Sequence, residues 1–182
     1  MGKLFVISGS SGVGKGTVIK EFMNMHPEFK LSISCTTRGM REGEADGVNY
    51  FFLSKEEFQK CIDNDEFLEW AEFSGNLYGT KKEFVKNCLE NGDNIILEID
   101  SKGALNVKKI MPEAVLIFIA PPSIEELEHR LRGRNTETEE AIQKRLASIK
   151  SEIENSKYYD YIITNDTVEH AVSELEKIVR MS

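Results

Sequence analysis

Lys15 directly follows Gly14, in a loop that also holds Gly9 and Gly12. Four consecutive apolar residues, Leu4 to Ile7, precede this loop, and helical spacing follows it at Val18, Ile19, Phe22 and Met23. A buried strand, a glycine loop and a helix opened by lysine form the phosphate-binding loop arrangement, the P-loop. The glycines let the backbone turn its N–H groups around phosphate oxygens. The helix N-terminus adds unpaired N–H groups and a favourable dipole. Lys15 can reach the terminal phosphates as a point charge. The expected phosphate cradle is Gly9, Ser10, Ser11, Gly12, Val13, Gly14, Lys15, Gly16 and Thr17. Position 16 departs from the motif: a Ser or Thr there usually offers a hydroxyl to Mg²⁺, and this chain has Gly16. Thr17 is the hydroxyl that could approach the metal instead.

Further polar groups lie in the section 33–80. Arg38 and Arg41 sit in the stretch Thr-Thr-Arg-Gly-Met-Arg-Glu-Gly-Glu. Arginine forks bind phosphate oxygens bidentately, and tyrosine hydroxyls add donors. With Tyr50 and Tyr78 they could hold one small phosphate, although a solvated loop fits the composition as well. Glu98 and Asp100 close a predicted strand at 94–100. Carboxylates at the C-terminal end of a strand face the crevice where open α/β sheets bind ligands. Arg130, Arg132, Arg134 and Arg145 lie in a highly charged stretch. Arg130 and Arg134 share a helical side, and Arg132 points away as the bystander.

The elements that must position these groups alternate in type. Apolar runs at 94–100, 114–120 and 161–163 are joined by helical patterns around 103–111, 123–132, 138–155 and 167–180. Such runs, linked by helices, predict a mostly parallel sheet covered on both faces. From 33 to 80 the signature turns aromatic and broken, with Tyr50, Phe51, Phe52, Phe67, Trp70, Phe73 and Tyr78. It predicts an insert of short strands. The charged stretch 125–145 has the composition of a helical lid.

With 182 residues the chain suits one domain with inserts. A net charge of −8 argues against broad nucleic-acid or anionic-membrane binding. Any anionic ligand must therefore be held by local arginine clusters. Cys35, Cys61 and Cys88 are scattered and odd in number, which predicts reduced thiols and a cytoplasmic setting. His26, His129 and His170 lack metal-ligand spacing. No basic-then-apolar leader and no apolar run near the ~20 residues of a membrane span is visible. Both a monomer and a homo-oligomer fit the sequence.

Taken together the motifs resemble the guanylate kinase family almost end to end. The resemblance rests on Ser-Gly-Ser-Ser-Gly-Val-Gly-Lys-Gly-Thr at 8–17 and Ser-Cys-Thr-Thr-Arg-Gly-Met-Arg-Glu-Gly-Glu at 34–44. It continues in Asn-Tyr-Phe-Phe at 49–52, Phe-Leu-Glu-Trp-Ala at 67–71 and Gly-Asn-Leu-Tyr-Gly-Thr at 75–80. Leu-Glu-Ile-Asp at 97–100, Ala-Pro-Pro-Ser at 120–123 and Arg-Leu-Arg-Gly-Arg at 130–134 complete it. It implies an α/β P-loop three-layer fold of one domain, 1–182. The core would be 1–32, 81–124 and 146–182, with a mixed α+β GMP-binding insert at 33–80 and a lid at 125–145.

The implied activity is phosphoryl transfer from ATP to GMP or dGMP with Mg²⁺. The resemblance places the nucleobase at Ser34, Glu69, Thr80 and Asp100, with Glu98 beside them, and the GMP phosphate at Arg38, Arg41, Tyr50 and Tyr78. It makes Lys15, Arg41, Arg134 and Arg145 catalytic, puts Arg130 and Arg134 on the ATP phosphates, and sets Asn165 and Asp166 on the adenine side. Ser10 stands where many members have proline, and Lys102 and Asn135 replace a common glutamine and glycine. Two competitors are a non-catalytic guanylate-kinase-like phosphopeptide-binding module and a P-loop kinase with another acceptor. The intact Gly9, Gly14 and Lys15 disfavour the first. The arginine pair together with Glu69 disfavours the second.

Overall fold

Leu4, Phe5, Val6 and Ile7 are all buried, as an unbroken apolar run demands of a strand covered on both faces. They form β1 (Leu4–Gly9), and the glycine loop leads from it into α1 (Lys15–Met25). The computed structural model describes residues 2–10, 12–133 and 139–182. For residues 127, 129–131, 133, 140, 141, 144, 145 and 148 that description covers the backbone alone.

The chain divides into two units, Met1–Val6 with Glu28–Ala114 and Ile7–Pro27 with Val115–Ser182. In the first, β2 (Lys30–Ser32) pairs in parallel with β7 (Ile95–Glu98). A second sheet comprises β3 (Cys35–Thr36), β4 (Phe51–Phe52), β5 (Phe67–Phe73) and β6 (Asn76–Lys81), in the order β4-β3-β6-β5. Its helices are α2 (Lys55–Asp63), α3 (Lys82–Glu90) and α4 (Ser101–Ile110). In the second unit β8 (Val115–Ala120) pairs in parallel with β9 (Tyr161–Thr164). It also holds α1, α5 (Ile124–Gly133), α6 (Glu139–Asn155) and α7 (Val168–Met181). The residues of β1 are divided between the units, so the strand order is β2-β7-β1 in the first and β1-β8-β9 in the second.

The predicted strands at the N-terminus, 94–100, 114–120 and 161–163 are present, and so are the four predicted helical stretches. β2 and α3 are additions. Lys30-Leu31-Ser32 is too short and polar to signal a strand, and only Ser32 of the three is buried. The predicted strand at 94–100 stops at Glu98, because Asp100 leaves it to cap α4 and its Oδ1 accepts the Gly103 N–H at 2.7 Å.

The mixed sheet owes its register to local chemistry. Ser74 and Gly75, both at positive φ, turn β5 into β6, with Phe73 opposite Asn76. A bulge between Phe67 and Glu69 then sets Glu69 directly opposite Thr80. The bulge interrupts the alternation, so Phe67, Leu68 and Glu69 are all buried. Gly79 makes room for the packed rings of Phe58 and Phe67, whose centroids lie 4.5 Å apart. A Cβ at 79 would come within 2.9 Å of Phe67.

Gly9 ends β1 against β8. A Cβ there would lie 2.4 Å from the Ile119 carbonyl oxygen, a backbone atom that cannot move aside. Gly9→Ala is expected to cost about 1–3 kcal/mol through this overlap. Urea unfolding of the two proteins measures it, and an unchanged midpoint would refute the close approach.

Candidate functional site

In the first unit, the bulged register of β5 buries a carboxylate. Glu69 is 7% exposed, and its Oε1 accepts a hydrogen bond from the Thr80 hydroxyl at 2.8 Å. Burial pushes the Glu69 carboxyl up to about 7, and the nearby Asp100 carboxylate adds to the rise against the opposing Thr80 bond. Gly103, in the first turn of α4, leaves space for this side chain. A Cβ on residue 103 would meet Glu69 Oε2 at 2.6 Å. A buried carboxylate whose described donor is one hydroxyl can accept more, and a ligand with adjacent N–H groups would supply the further donors.

The loop between β3 and β4 arranges the first arginine. Thr36 Oγ1 donates to the Leu77 carbonyl and accepts the Arg38 N–H, at 3.0 and 3.1 Å. The Arg38 guanidinium forks onto both oxygens of Glu44, at 2.7 and 3.0 Å. It lies 5.3 Å from the Tyr50 ring centroid and also bonds the Tyr78 hydroxyl. The rings of Tyr50 and Tyr78 stand edge to face at 6.0 Å. Burial and then the Glu98 carboxylate push the Tyr50 phenol up, which keeps it protonated and able to donate. The Arg38 bond holds Glu44 below the usual carboxylate range.

Arg38, Tyr50 and Tyr78 thus meet, as the sequence predicts, and Glu98 joins them electrostatically. Arg41 is tied to the group through its backbone N–H, which donates to Glu44 at 2.8 Å, while its side chain is exposed. Ser34 is half-buried, and its carbonyl accepts the Phe51 N–H at 2.9 Å. Sequence reasoning does not single out Glu44. Two cations, Arg38 and Arg41, followed at once by two anions, Glu42 and Glu44, are the signal that could have found it.

In the second unit the loop has the geometry its glycines suggest. Gly12 and Gly14 have φ of 82° and 90°, values that favour glycine. Gly14 is the N-cap of α1, and its carbonyl accepts the N–H groups of Thr17 and Val18. The first turn carries no acidic residue, which leaves the positive end of the helix dipole for an anion. Lys15 opens the helix half-buried, and Gly16 and Thr17 are exposed. Ser10 is buried, and its hydroxyl has no hydrogen-bond partner among the described residues.

Asn165 is buried at the end of β9 and donates to the Val13 carbonyl at 2.7 Å. Asp166 is exposed, and its Oδ1 accepts from the Thr167 N–H and lies 2.7 Å from His170 Nδ1. Ser11 and Arg134 lie outside the described residues, as does Asn135. Arg130 and Arg145 fall in α5 and α6 by their backbones. Arg132, the expected bystander, is engaged by Glu128 and Glu139.

Glu69 gives a signed pH dependence. Its folded pKa of about 7 exceeds the ordinary 4.5, so the folded state holds a proton the unfolded chain has lost. The stability this provides is complete below the ordinary value and is lost as pH rises through about 7. Glu69→Gln should remove the pH-dependent loss, on the order of 3 kcal/mol. Urea midpoints across that range check it, and parallel curves for the two proteins would refute the raised pKa.

Comparison with known proteins bears on what these groups serve. The chain matches the guanylate kinase family model over residues 1–182. It is 51% identical over 177 residues to the guanylate kinase of Synechococcus sp. (strain CC9311), covering 97% of this chain and 93% of that one. It is 52% identical over 179 residues to that of Bacillus anthracis, covering 98% and 87%. The crystal structure of guanylate kinase from Anaplasma phagocytophilum superposes with a TM-score of 0.83 at 32% identity, covering 99% of this chain and 85% of that one. Shikimate kinase from Bacteroides thetaiotaomicron, at 15% identity and a TM-score of 0.51, covers 98% of both chains and shares the fold alone. With its P-loop, its buried Glu69–Thr80 pair and full-length agreement in sequence, the chain belongs to the guanylate kinase family.

Proposed function

We propose that the protein transfers the terminal phosphoryl group of ATP to GMP and dGMP, giving ADP and the nucleoside diphosphate. The buried Glu69–Thr80 pair carries this reading. Guanine presents N1–H and an exocyclic amine as adjacent donors, and a carboxylate accepts both. Adenine has an acceptor at N1 and lacks the 2-amine, so it would leave Glu69 unpaired. Unpaired polar groups of that kind give discrimination on the order of 10⁴. Ser34 and Asp100 complete the base site, with Glu98 beside it.

The acceptor phosphate goes to Arg38, Arg41, Tyr50 and Tyr78. Glu44 holds the Arg38 guanidinium in a fixed plane before the ligand arrives, which reduces the ordering cost of binding. The acceptor oxygen is already anionic, so the reaction requires no general base. It attacks the γ-phosphorus in line as the bond to the ADP oxygen breaks. Lys15 and the P-loop N–H groups hold the donor phosphates, and the buried Ser10 hydroxyl is a further donor for them. Arg41, Arg130, Arg134 and Arg145 neutralise charge on the transferring group. Asn165 and Asp166 belong to the ATP side.

Among the described residues no group of three or more His, Cys, Asp or Glu could hold a metal ion. Mg²⁺ would therefore be held chiefly by phosphate oxygens and water, with Thr17 as the protein hydroxyl. When bound, it supplies further charge neutralisation at the phosphates.

The intact loop favours catalysis over a phosphopeptide-binding module. Three free thiols, Cys35, Cys61 and Cys88, suit a reducing cytoplasm. No helix among the described residues is long and apolar enough to cross a membrane.

An ADP-release assay across GMP, dGMP, AMP and UMP tests the substrate. GMP should exceed AMP by about 10⁴ in kcat/KM, and equal turnover of AMP would overturn the role of Glu69. Lys15→Ala should lower kcat by about 10²-fold or more and leave GMP affinity unchanged. Guanosine lacks the phosphate ionisation near pH ~6, so its binding isolates Glu69. Its affinity should rise with pH through about 7 as the carboxylate forms, and Glu69→Gln should flatten the curve.

A further inference from the structure

We propose that Asn165 is a positioning residue for the triphosphate, acting through the P-loop backbone and not through the base. The inference rests on the reading that this loop takes the ATP phosphates.

Asn165 follows the last residue of β9, and its own N–H donates to the Ala120 carbonyl at 2.9 Å. That bond fixes its backbone at the end of the sheet. Its side chain is 5% exposed and reaches back across 152 residues of sequence to donate from Nδ2 to the Val13 carbonyl at 2.7 Å. A carbonyl only accepts, so the amide must present its nitrogen to Val13, and its orientation is settled.

The Val13 carbonyl and the Gly14 N–H belong to one peptide unit. A trans peptide is planar, and its C=O and N–H point in opposite directions. Anchoring the Val13 oxygen on Asn165 therefore turns the Gly14 N–H away from Asn165. Gly14 is the residue whose left-handed backbone, at φ 90° and ψ 17°, caps α1. A P-loop holds phosphate by the directions of such N–H groups. A rotated peptide would present an oxygen where the anion needs a donor.

The same contact explains the glycine a second time. A Cβ at residue 14 would lie 2.8 Å from Asn165 Nδ2, so a side chain there would push against the amide as well as strain the positive φ. Ser10 braces the loop from the other side, where its carbonyl accepts the Val13 N–H at 3.2 Å. Val13 is thus held at both its N–H and its C=O, and its side chain is 1% exposed.

This separates two roles that sequence position alone would merge. A direct adenine contact would affect ligands that carry the base. A backbone anchor would affect ligands that carry the phosphates, whatever base is attached. Asn165→Asp is close to isosteric and replaces the donor with a carboxylate oxygen facing the Val13 oxygen.

Calorimetric titration of wild type and Asn165→Asp with ATP, inorganic tripolyphosphate, adenosine and GMP decides between them. Tripolyphosphate and ATP should both weaken by about tenfold, with adenosine and GMP unchanged. Weakened ATP with unchanged tripolyphosphate would overturn the proposal in favour of an adenine contact. Unchanged affinity for both would overturn it outright. Wild type that bound neither ATP nor tripolyphosphate would instead defeat the underlying reading of the loop. If the variant does not fold, the wild type gives the answer by NMR. Tripolyphosphate, which has no base, should shift the Asn165 side-chain amide resonances. A shift with adenosine alone would refute the anchor.

Discussion

Glu69 holds a carboxylate out of water beside a hydroxyl and a second carboxylate, and the first unit is built to keep it there. The β5 bulge turns it inward opposite Thr80. The absent side chain of Gly103 gives its second oxygen a place. The cap on α4, Asp100 Oδ1 to the Gly103 N–H, fixes the turn that presents that gap. Such a site is costly when empty and satisfied when two donors enter. Under the proposed function that difference between empty and filled states is the source of selectivity, because the wrong base would leave the cost in place.

The proposed phosphate sites answer the opposite problem, which is how to receive negative charge. Arg38 is held ready by Glu44 and by the faces of two aromatic rings, so its fork has one orientation before any ligand binds. The P-loop uses backbone dipoles instead of side-chain charges. Glycines at positive φ and an acid-free first helical turn let N–H groups converge on an anion. On the proposed reading, a chain of net charge −8 needs no basic face to bind highly charged nucleotides. Its positive potential is local, made of a few arginines, one lysine and oriented peptide units.

Much of this was legible in the residues. The apolar run of β1, the loop glycines and Lys15 are contiguous, so their spacing alone fixed strand, turn and helix. The resemblance carried Glu69 with Thr80 and Arg38 with Tyr50 and Tyr78 as two sets, and in the structure Glu69 meets Thr80 while Arg38, Tyr50 and Tyr78 form a second cluster. Less visible were β2, whose three residues carry no apolar run, and Glu44, whose charge reads as surface until its fork onto Arg38 is seen. Asn165 belongs with these. Nothing in Thr-Asn-Asp indicates that an amide there will reach Val13.

By itself the sequence determined the local conformations and the kinds of chemistry on offer, because glycine loops, apolar strands and capping residues act through near neighbours. The tertiary structure decided which of those groups share an environment. Burial raises Glu69, the Gly103 gap admits its oxygen, and β9 carries an amide to a loop formed at the other end of the chain. Desolvation, steric clearance and hydrogen-bond direction depend on residues far apart in sequence, so they exist only once the chain has folded.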